Sequence, residues 1–351
     1  MSADFPKTLS RLLSREPLGA AEARAAFEAI LGGAWTPVQI GAFAIALRMV
    51  GETPEAIAGA AEAMRGAMIV VEHGLAQVVD TCGTGGDGSH SLNISTAAAL
   101  VVAGCGLPVA KHGNRSASSQ CSSADVLEAL GIPIDVPPAR QGELLREVGI
   151  VFLFAQAHHP ALKHAAQTRG ELRTRTIFNA LGPIANPARA THQLVGVYED
   201  ALRPVLAGAL GRLGSQRAWV VHSEDGLDEV SPCAPTRVSE VTAGGGVREA
   251  VVTPEDFGIE RVPRSAIAGS DAASNARAIL AILAGEPHPA REAVVLNAAA
   301  ALAVATGESL RASAERARDA IASGAAQRTL ERWRDAATRA RESARRPQGA
   351  R

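Results

Sequence analysis

The chain has 351 residues, 47% of them hydrophobic and 20% charged, which is enough to bury a large core and to divide into two domains. Its 35 basic and 36 acidic residues leave a net charge of −1, which argues against a surface built to hold a nucleic-acid backbone. Cys82, Cys105, Cys121 and Cys233 show no C-x-x-C pairing, so neither a zinc site nor a secreted disulfide framework is suggested, and a reducing, cytoplasmic setting is expected. At the start, Met1-Ser-Ala-Asp-Phe-Pro-Lys7 places charge and proline where a signal peptide would begin its apolar region.

Residues 1–68 predict a small helical domain. Ala, Leu, Glu and Arg dominate, and Thr36-Pro37 and Thr53-Pro54 each supply an N-cap followed by proline at the first helical position. The segment 38–50 is apolar nearly all round, with Gln39 and Arg48 its polar side chains. It belongs either at the centre of the helical unit or in a subunit interface, since both bury the same faces.

Residues 69–340 predict an α/β domain with a mostly parallel sheet covered on both faces, because short β-branched runs alternate with helical stretches. Strands are expected at 77–81, 108–111, 132–136, 150–154, 193–198 and 217–222. The most apolar stretch, 97–110, is too short to span a bilayer and reads as a buried helix running into a buried strand. Residues 236–241 and 247–252 flank Gly244-Gly245-Gly246 as a hairpin, and helices follow from about Ala272, some of 160–185 packing back on the helical domain. The charged stretch 341–351, with Pro347 and Gly349, is expected to be a frayed tail.

The chemistry gathers in three places. From Asp80 the chain reads Asp-Thr-Cys-Gly-Thr-Gly-Gly-Asp-Gly-Ser-His-Ser-Leu-Asn-Ile-Ser-Thr96, a glycine-rich loop running into a helix. Gly83, Gly85, Gly86 and Gly88 let backbone N–H groups approach an anion, Asn93, Ser95 and Thr96 add donors at the helix start, and Lys111 answers from the next strand. The loop formally satisfies G-x-G-x-x-G, yet the acidic residue a dinucleotide fold needs about 20 positions on is replaced by Pro108-Val-Ala-Lys111-His112. No Walker pattern follows either. Asp87 would repel a bare diphosphate unless a metal or sugar hydroxyl intervened, so the ligand is expected to carry both. The acid cluster His222-Ser-Glu-Asp-Gly-Leu-Asp228-Glu229 closes a strand with the oxygen ligands Mg²⁺ shares with phosphates, although a solvated acidic turn would read the same in isolation.

The second place is Lys111-His-Gly-Asn-Arg115, followed by Ser116-Ala117-Ser118-Ser119 and Ser122-Ser123. A helix entry needs one cap, so this excess of serines suggests a loop that folds over an anion. The third runs from His158-His159-Pro160 through Arg169, Arg173 and Arg175 to Gly182-Pro183. The adjacent histidines are a weak zinc signal, and one arginine can offer a planar fork to a carboxylate.

These motifs, in this order and spacing, resemble the anthranilate phosphoribosyltransferase family over nearly the whole chain, from Ala46-Leu-Arg-Met-Val-Gly-Glu-Thr-Pro54 to Asn297-Ala-Ala-Ala300. The resemblance implies transfer of the phosphoribosyl group of phosphoribosyl pyrophosphate to the amine of anthranilate, in tryptophan biosynthesis. It implies donor contacts at Gly83, Gly86, Asp87, Ser91, Asn93, Ile94, Ser95, Thr96, Lys111, His112, Gly113, Asn114, Arg115, Ser116, Ala117, Ser118, Ser119 and Ser123. Anthranilate would meet Gly83, His112, Asn114, His159, Arg169 and Gly182, and Mg²⁺ would be held by Ser95, Asp228 and Glu229. No general base is assigned, and His112 is the candidate for orienting the ring. A homodimer through the helical domain is implied, with no membrane or nucleic-acid partner.

Two departures stand out: Ser118-Ser119-Gln120-Cys121-Ser122-Ser123 where relatives commonly have Ser-Ser-Lys-Ser-Gly-Ser, which loses a cation and a glycine, and Ala234 where a glycine is frequent. The rival readings are a pyrimidine nucleoside phosphorylase of similar architecture, which has less need of Asp228-Glu229, and a non-catalytic homologue binding nucleic acid or a protein, which would show a decayed loop and a basic surface.

Overall fold

Four helices open the chain: α1 Phe5–Leu13, α2 Ala20–Leu31, α3 Pro37–Val50 and α4 Pro54–Ala67, in a computed structural model that describes residues 3–115 and 120–345. The Thr-Pro signals act as expected. Thr36 Oγ1 accepts from Gln39 N at 3.3 Å while Gln39 Oε1 accepts from Thr36 N at 2.9 Å, and Thr53 Oγ1 accepts from Ala56 N at 3.1 Å. Helix α3 turns Ile40, Phe43, Ala44 and Leu47 into the helical core, yet leaves Val38 80% and Met49 82% exposed. Both faces are apolar, and one of them lies outside the core.

The larger unit continues with β1 Val79–Asp80, α5 Ile94–Gly104, β2 Val109–Gly113, α6 Ser123–Ala129, α7 Pro138–Val148, β3 Ile150–Phe154, α8 Ala155–His158, α9 Lys163–Leu172 and α10 Ile177–Leu181. Then come β4 His192–Gly196, α11 Leu202–Arg212, β5 Arg217–Ser223, the hairpin β6 Thr236–Val241 and β7 Val247–Val252, and helices α12 Ala272–Leu283, α13 Arg291–Thr306, α14 Leu310–Ala322 and α15 Ala325–Arg345. The seven strands lie in the order β3-β2-β1-β4-β5-β6-β7, parallel through β5 and antiparallel in the last two. The fold is α/β with a helical N-terminal domain.

Alternation along the strands divides the interior into two cores. Leu194, Trp219 and Val221 face a core shared with α5, α13 and α15, while Val195, Ala218 and Val220 face one shared with α4, α11 and the N-terminal helices. Ala165, Ile177 and Phe178 join this second core.

Three expectations need correcting. Residues 132–136 form no strand: Ile132, Ile134 and Val136 are buried in alternation, but Pro133 and Pro137 lack the donors a ladder needs, and the chain bends at Ile134 without pairing. Strand β1 keeps two residues of the expected five. The tail does not fray at 341, since α15 continues to Arg345 and Arg341 approaches Asp135 at 3.7 Å. Among the described residues no single helix is long and apolar enough to cross a membrane.

Strand β1 pairs with β2 on one side and β4 on the other, so the order reverses there. In an open α/β sheet the crevice beyond such strand ends is the natural ligand site, and the glycine-rich loop leaves β1 at that point.

Candidate active site

The loop after β1 is anchored to β4. Thr84 N donates to Gly196 O at 2.8 Å, and Tyr198 N donates to Thr84 Oγ1 at 3.0 Å. Gly86 adopts φ 77°, a conformation that favours glycine, and its carbonyl accepts from the Arg175 guanidinium, which lies 3.7 Å from the centre of the Tyr198 ring. Gly196 is a glycine the motif reading missed. A Cβ there would stand 1.5 Å from Asp228 O, so any side chain would push the acidic turn off the strand end.

That turn brings three carboxylates together. Asp87 Oδ2 accepts from Asp228 N at 3.2 Å, Asp87 Oδ1 accepts from Ser89 N at 2.9 Å, and Glu229 Oε1 accepts from Ser95 N at 3.1 Å, at the first turn of α5. Burial, then Asp87, then Glu229 raise the proton affinity of Asp228 well above the ordinary carboxylate range. Burial likewise pushes Glu229 up to about 7, with Lys111 pulling the other way. The turn is held by Asn297 of α13, fully buried, whose Oδ1 accepts from Val230 N and whose Nδ2 donates to Val230 O, both at 2.9 Å.

The donor set fits a hard cation. Carboxylates that retain protons for want of positive charge suit Mg²⁺, which takes one or two of them and completes its shell with phosphate oxygens and water. Among the described residues no group of three or more His, Cys, Asp or Glu side chains forms a metal site by itself.

Lys111 occupies a different place from the one its sequence position suggests. Its side chain is 3% exposed, and Nζ donates to Thr81 O at 2.6 Å and Ser95 Oγ at 3.1 Å, behind the loop. Beside it Asp80, fully buried, accepts from His112 N at 3.1 Å and Asn186 Nδ2 at 2.7 Å, and burial pushes its carboxyl up to about 6 against the pull of Lys111. Lys111 thus ties the loop to the start of α5 and places its charge near Asp80 and Glu229, whose proton affinity it lowers.

Other site residues fall as follows. Ile94 is buried and its N–H donates to Leu92 O at 2.6 Å; Thr96 is buried with Oγ1 unpartnered among the described residues. Ser91 bridges to Ala268 and its Oγ accepts from Ser89 Oγ at 3.2 Å. Asn114 is exposed and accepts from Arg115 N at 2.9 Å. The Arg115 guanidinium turns away to α6, pairing with Asp125 and, at 2.7 Å, with Glu128; its side chain is committed there and not to the loop. Gly113 sits where a Cβ would stand 2.7 Å from Ser123 Oγ. Ser116, Ala117, Ser118 and Ser119 lie outside the described residues.

A second group of side chains adjoins Lys111 along β2. His112 Nδ1 lies 2.8 Å from Gly182 O, which requires the proton on Nδ1 and leaves Nε2 a buried acceptor without a partner among the described residues. Burial and the neighbouring His159 push His112 down to about 3, and burial with His158 pushes His159 down to about 4, so both rings, 5.2 Å apart, are neutral near pH 7. Of the three arginines, Arg173 is exposed at the end of α9 with φ 45°, and Arg175 is held by Gly86. Arg169 is half-buried, 5.7 Å from the Phe178 ring centre, and none of the ion pairs or hydrogen bonds among the described residues engages its guanidinium.

Known proteins with this arrangement agree on a family. Residues 75–327 match the glycosyl transferase family, a/b domain, and residues 6–68 match the glycosyl transferase family, helical bundle domain. The anthranilate phosphoribosyltransferase of Myxococcus xanthus is 49% identical over 92% of this chain and 96% of its own length. That of Symbiobacterium thermophilum is 51% identical over 93% and 96%. The crystal structure of anthranilate phosphoribosyltransferase from Thermus thermophilus matches with a TM-score of 0.89 at 40% identity, covering 94% of this chain and 99% of its own. The enzyme of Saccharomyces cerevisiae in complex with PRPP and Mg matches with a TM-score of 0.88 at 28% identity, covering 95% and 98%.

Proposed function

We infer that this chain, which belongs to the anthranilate phosphoribosyltransferase family, transfers the phosphoribosyl group of phosphoribosyl pyrophosphate to the amine of anthranilate. Pyrophosphate leaves and N-(5-phosphoribosyl)anthranilate forms, in tryptophan biosynthesis. The observation that carries the chemistry is one strand, β2, along which Lys111 faces the glycine loop and carboxylates while His112 faces Gly182. The nucleoside phosphorylase and non-catalytic readings have no support among relatives at about half identity over nearly full length. Consumption of anthranilate in the presence of phosphoribosyl pyrophosphate and Mg²⁺ tests the reading directly.

In this reading the backbone N–H groups of the Gly83–Gly88 loop and the start of α5 hold the donor, with Asn93, Ser95 and Thr96 adding polar contacts. Asn114 and Ser123 would add further contacts to it. Ser95, Asp228 and Glu229 would hold Mg²⁺, which when bound neutralises charge on the pyrophosphate group. The amine of anthranilate already carries its lone pair near neutral pH, so no strong base is needed. His112, kept neutral by burial, offers Nε2 as an acceptor that orients the amine. A cytoplasmic setting, drawn from the cysteine spacing, belongs to the same proposal.

Arg169 is assigned to the anthranilate carboxylate, since a half-buried guanidinium engaged by no described acid is ready for one from the substrate. Arg169→Ala is expected to raise KM for anthranilate about 10- to 100-fold, as loss of a charge-assisted contact requires, with little change for the donor. Arg173→Ala should leave both constants near their starting values. Steady-state kinetics with each substrate varied will check this; an effect confined to Arg173 would move the role to that residue.

The dimer is also proposed here. Val38, Ala42, Ile45 and Met49 recur at helical spacing on the outer side of α3, with Leu13 72% exposed nearby in the same helical unit. Light scattering at working concentration is expected to return twice the chain mass of 36.1 kDa. A value of one chain mass would remove the interface.

A further inference from the structure

Asn93 stands at the N-cap of α5, yet its side chain caps nothing. Its Oδ1 instead accepts from Asn275 Nδ2 at 3.0 Å and from the Cys121 thiol at 3.3 Å, while its Nδ2 donates to Cys121 O at 3.1 Å. The partners are themselves fixed. Asn275, 3% exposed on α12, accepts from Ser270 N at 2.8 Å through Oδ1, which settles the direction of its amide. Beyond Cys121, Ser122 forms a capping box with Asp125 at the start of α6, with contacts of 2.9 Å and 3.2 Å.

The same three segments are laced together through the backbone. Leu92 N donates to Ile267 O at 2.9 Å and Gly269 N donates to His90 O at 2.8 Å, so the approach to α12 runs alongside the exit of the glycine loop. A Cβ at Gly269 would stand 2.5 Å from Ser91 O, so the approach is close. Among the described residues, both acceptor sites of the Asn93 carbonyl and one of its two amide hydrogens are therefore committed, and one Nδ2 hydrogen is open to a ligand.

We propose that Cys121 and Asn275 are positioning residues for the donor site, clasping the Asn93 carboxamide between α12 and the start of α6 so that its remaining hydrogen is set for the phosphoribosyl donor. The cysteine stands where relatives commonly have serine, and Ser122 where they commonly have glycine, which has no side chain to give. Cys121 keeps a side-chain donor at that serine position, and Ser122 exchanges the glycine's freedom for a cap on α6. Ordering the amide before binding removes a rotamer cost that would otherwise fall on donor affinity. The clasp rests on the donor-site reading given above, and the controls below separate the two.

The test compares Cys121→Gly, Cys121→Ser and Asn275→Ala with wild type, each first checked for an unchanged melting profile. Calorimetry with phosphoribosyl pyrophosphate and Mg²⁺, without anthranilate, should show binding weakened about fivefold in Cys121→Gly and in Asn275→Ala, the effect of one neutral hydrogen bond. KM for the donor should rise in step, with kcat and KM for anthranilate within about twofold. Cys121→Ser keeps a donor and should stay near wild type. The double variant Cys121→Gly with Asn275→Ala should lose less than the product of the two single effects, because both act through Asn93. Unchanged donor binding in both single variants overturns the clasp, as does a parallel loss of kcat and both KM values, or a Cys121→Ser enzyme no better than Cys121→Gly. Wild-type protein that binds the donor but fails to consume anthranilate would instead overturn the assigned reaction and leave the clasp standing.

Discussion

Replacing Asp228 by Asn together with Glu229 by Gln is expected to lower Mg²⁺-dependent kcat/KM by roughly 10²- to 10³-fold without unfolding the protein, the scale on which removal of preorganised charge acts. The fold should survive because the turn is held through Val230, whose N–H and C=O both bind Asn297 and neither acid. The amide variants also keep an acceptor for Ser95 N, which Glu229 now serves. Stability should change with a definite sign. Both carboxyls have raised pKa values in the folded chain, Glu229 reaching about 7 from an ordinary 4.5, so in the metal-free protein they cost stability as pH climbs through that interval. The double variant removes this cost, and its melting temperature at pH 8 should equal or exceed that of wild type. The same protons compete with the cation. Wild-type affinity for Mg²⁺ should weaken as pH falls below about 7, by at most tenfold per unit for the single proton on Glu229. Rate titrations against Mg²⁺ at pH 6 and pH 8 provide the measurement. A double variant with wild-type Mg²⁺ dependence would end the metal assignment, and one that melted far below wild type at pH 8 would make the acids structural.

The parts of this site that were legible in the sequence are those where one short segment carries its own chemistry. The glycine loop follows a strand and opens a helix, so its place in the fold could be read from spacing alone, and the hairpin strands 236–241 and 247–252 were readable because a glycine triplet separates two β-branched runs. What escaped is what depends on contacts between distant segments. Asn297 lies in an alanine-rich helix that reads as pure core, and nothing local marks its two bonds to Val230. Gly196 ends an ordinary strand; its constraint comes from the backbone of Asp228 pressing on it. The direction of a long side chain is equally illegible. Lys111 and Arg115 sit four apart in one motif, yet Lys111 turns into the protein beneath the loop and Arg115 turns outward to acids on α6, because Asp125 and Glu128 are within its reach. Arg169 and Arg175 separate for a similar reason, Gly86 and Tyr198 having claimed the second.

Lys111→Met is expected to lower stability and donor use together, a different outcome from that of a cation reaching freely into the site. The methionine keeps the apolar stem, so no large cavity opens, but the charge leaves a buried cluster in which Asp80 is fully buried and Glu229 lies close enough to have its proton affinity lowered by the lysine. Removing one partner from such a cluster costs about 3–5 kcal/mol. The loss should depend on pH in a fixed direction. Asp80 already holds its proton up to about 6 rather than the ordinary 3.8, and Lys111 is the charge that pulls that value down, so without it the carboxyl takes up its proton at still higher pH. The variant is therefore destabilised most at pH 8, where Asp80 must ionise unassisted, and least below pH 6, where a proton replaces the missing ammonium. Thr81 O and Ser95 Oγ also lose their donor, which loosens the start of the loop and of α5, and kcat/KM for the donor should fall at least tenfold. Adding Asp80→Asn to Lys111→Met separates the two effects. The pair should recover most of the melting temperature at pH 8, since the buried charge is gone, while donor kcat/KM stays low because Thr81 and Ser95 remain unbraced. A single variant as stable as wild type at pH 8 would show that Lys111 does not balance Asp80, and a double variant that recovered turnover along with stability would confine the lysine to folding.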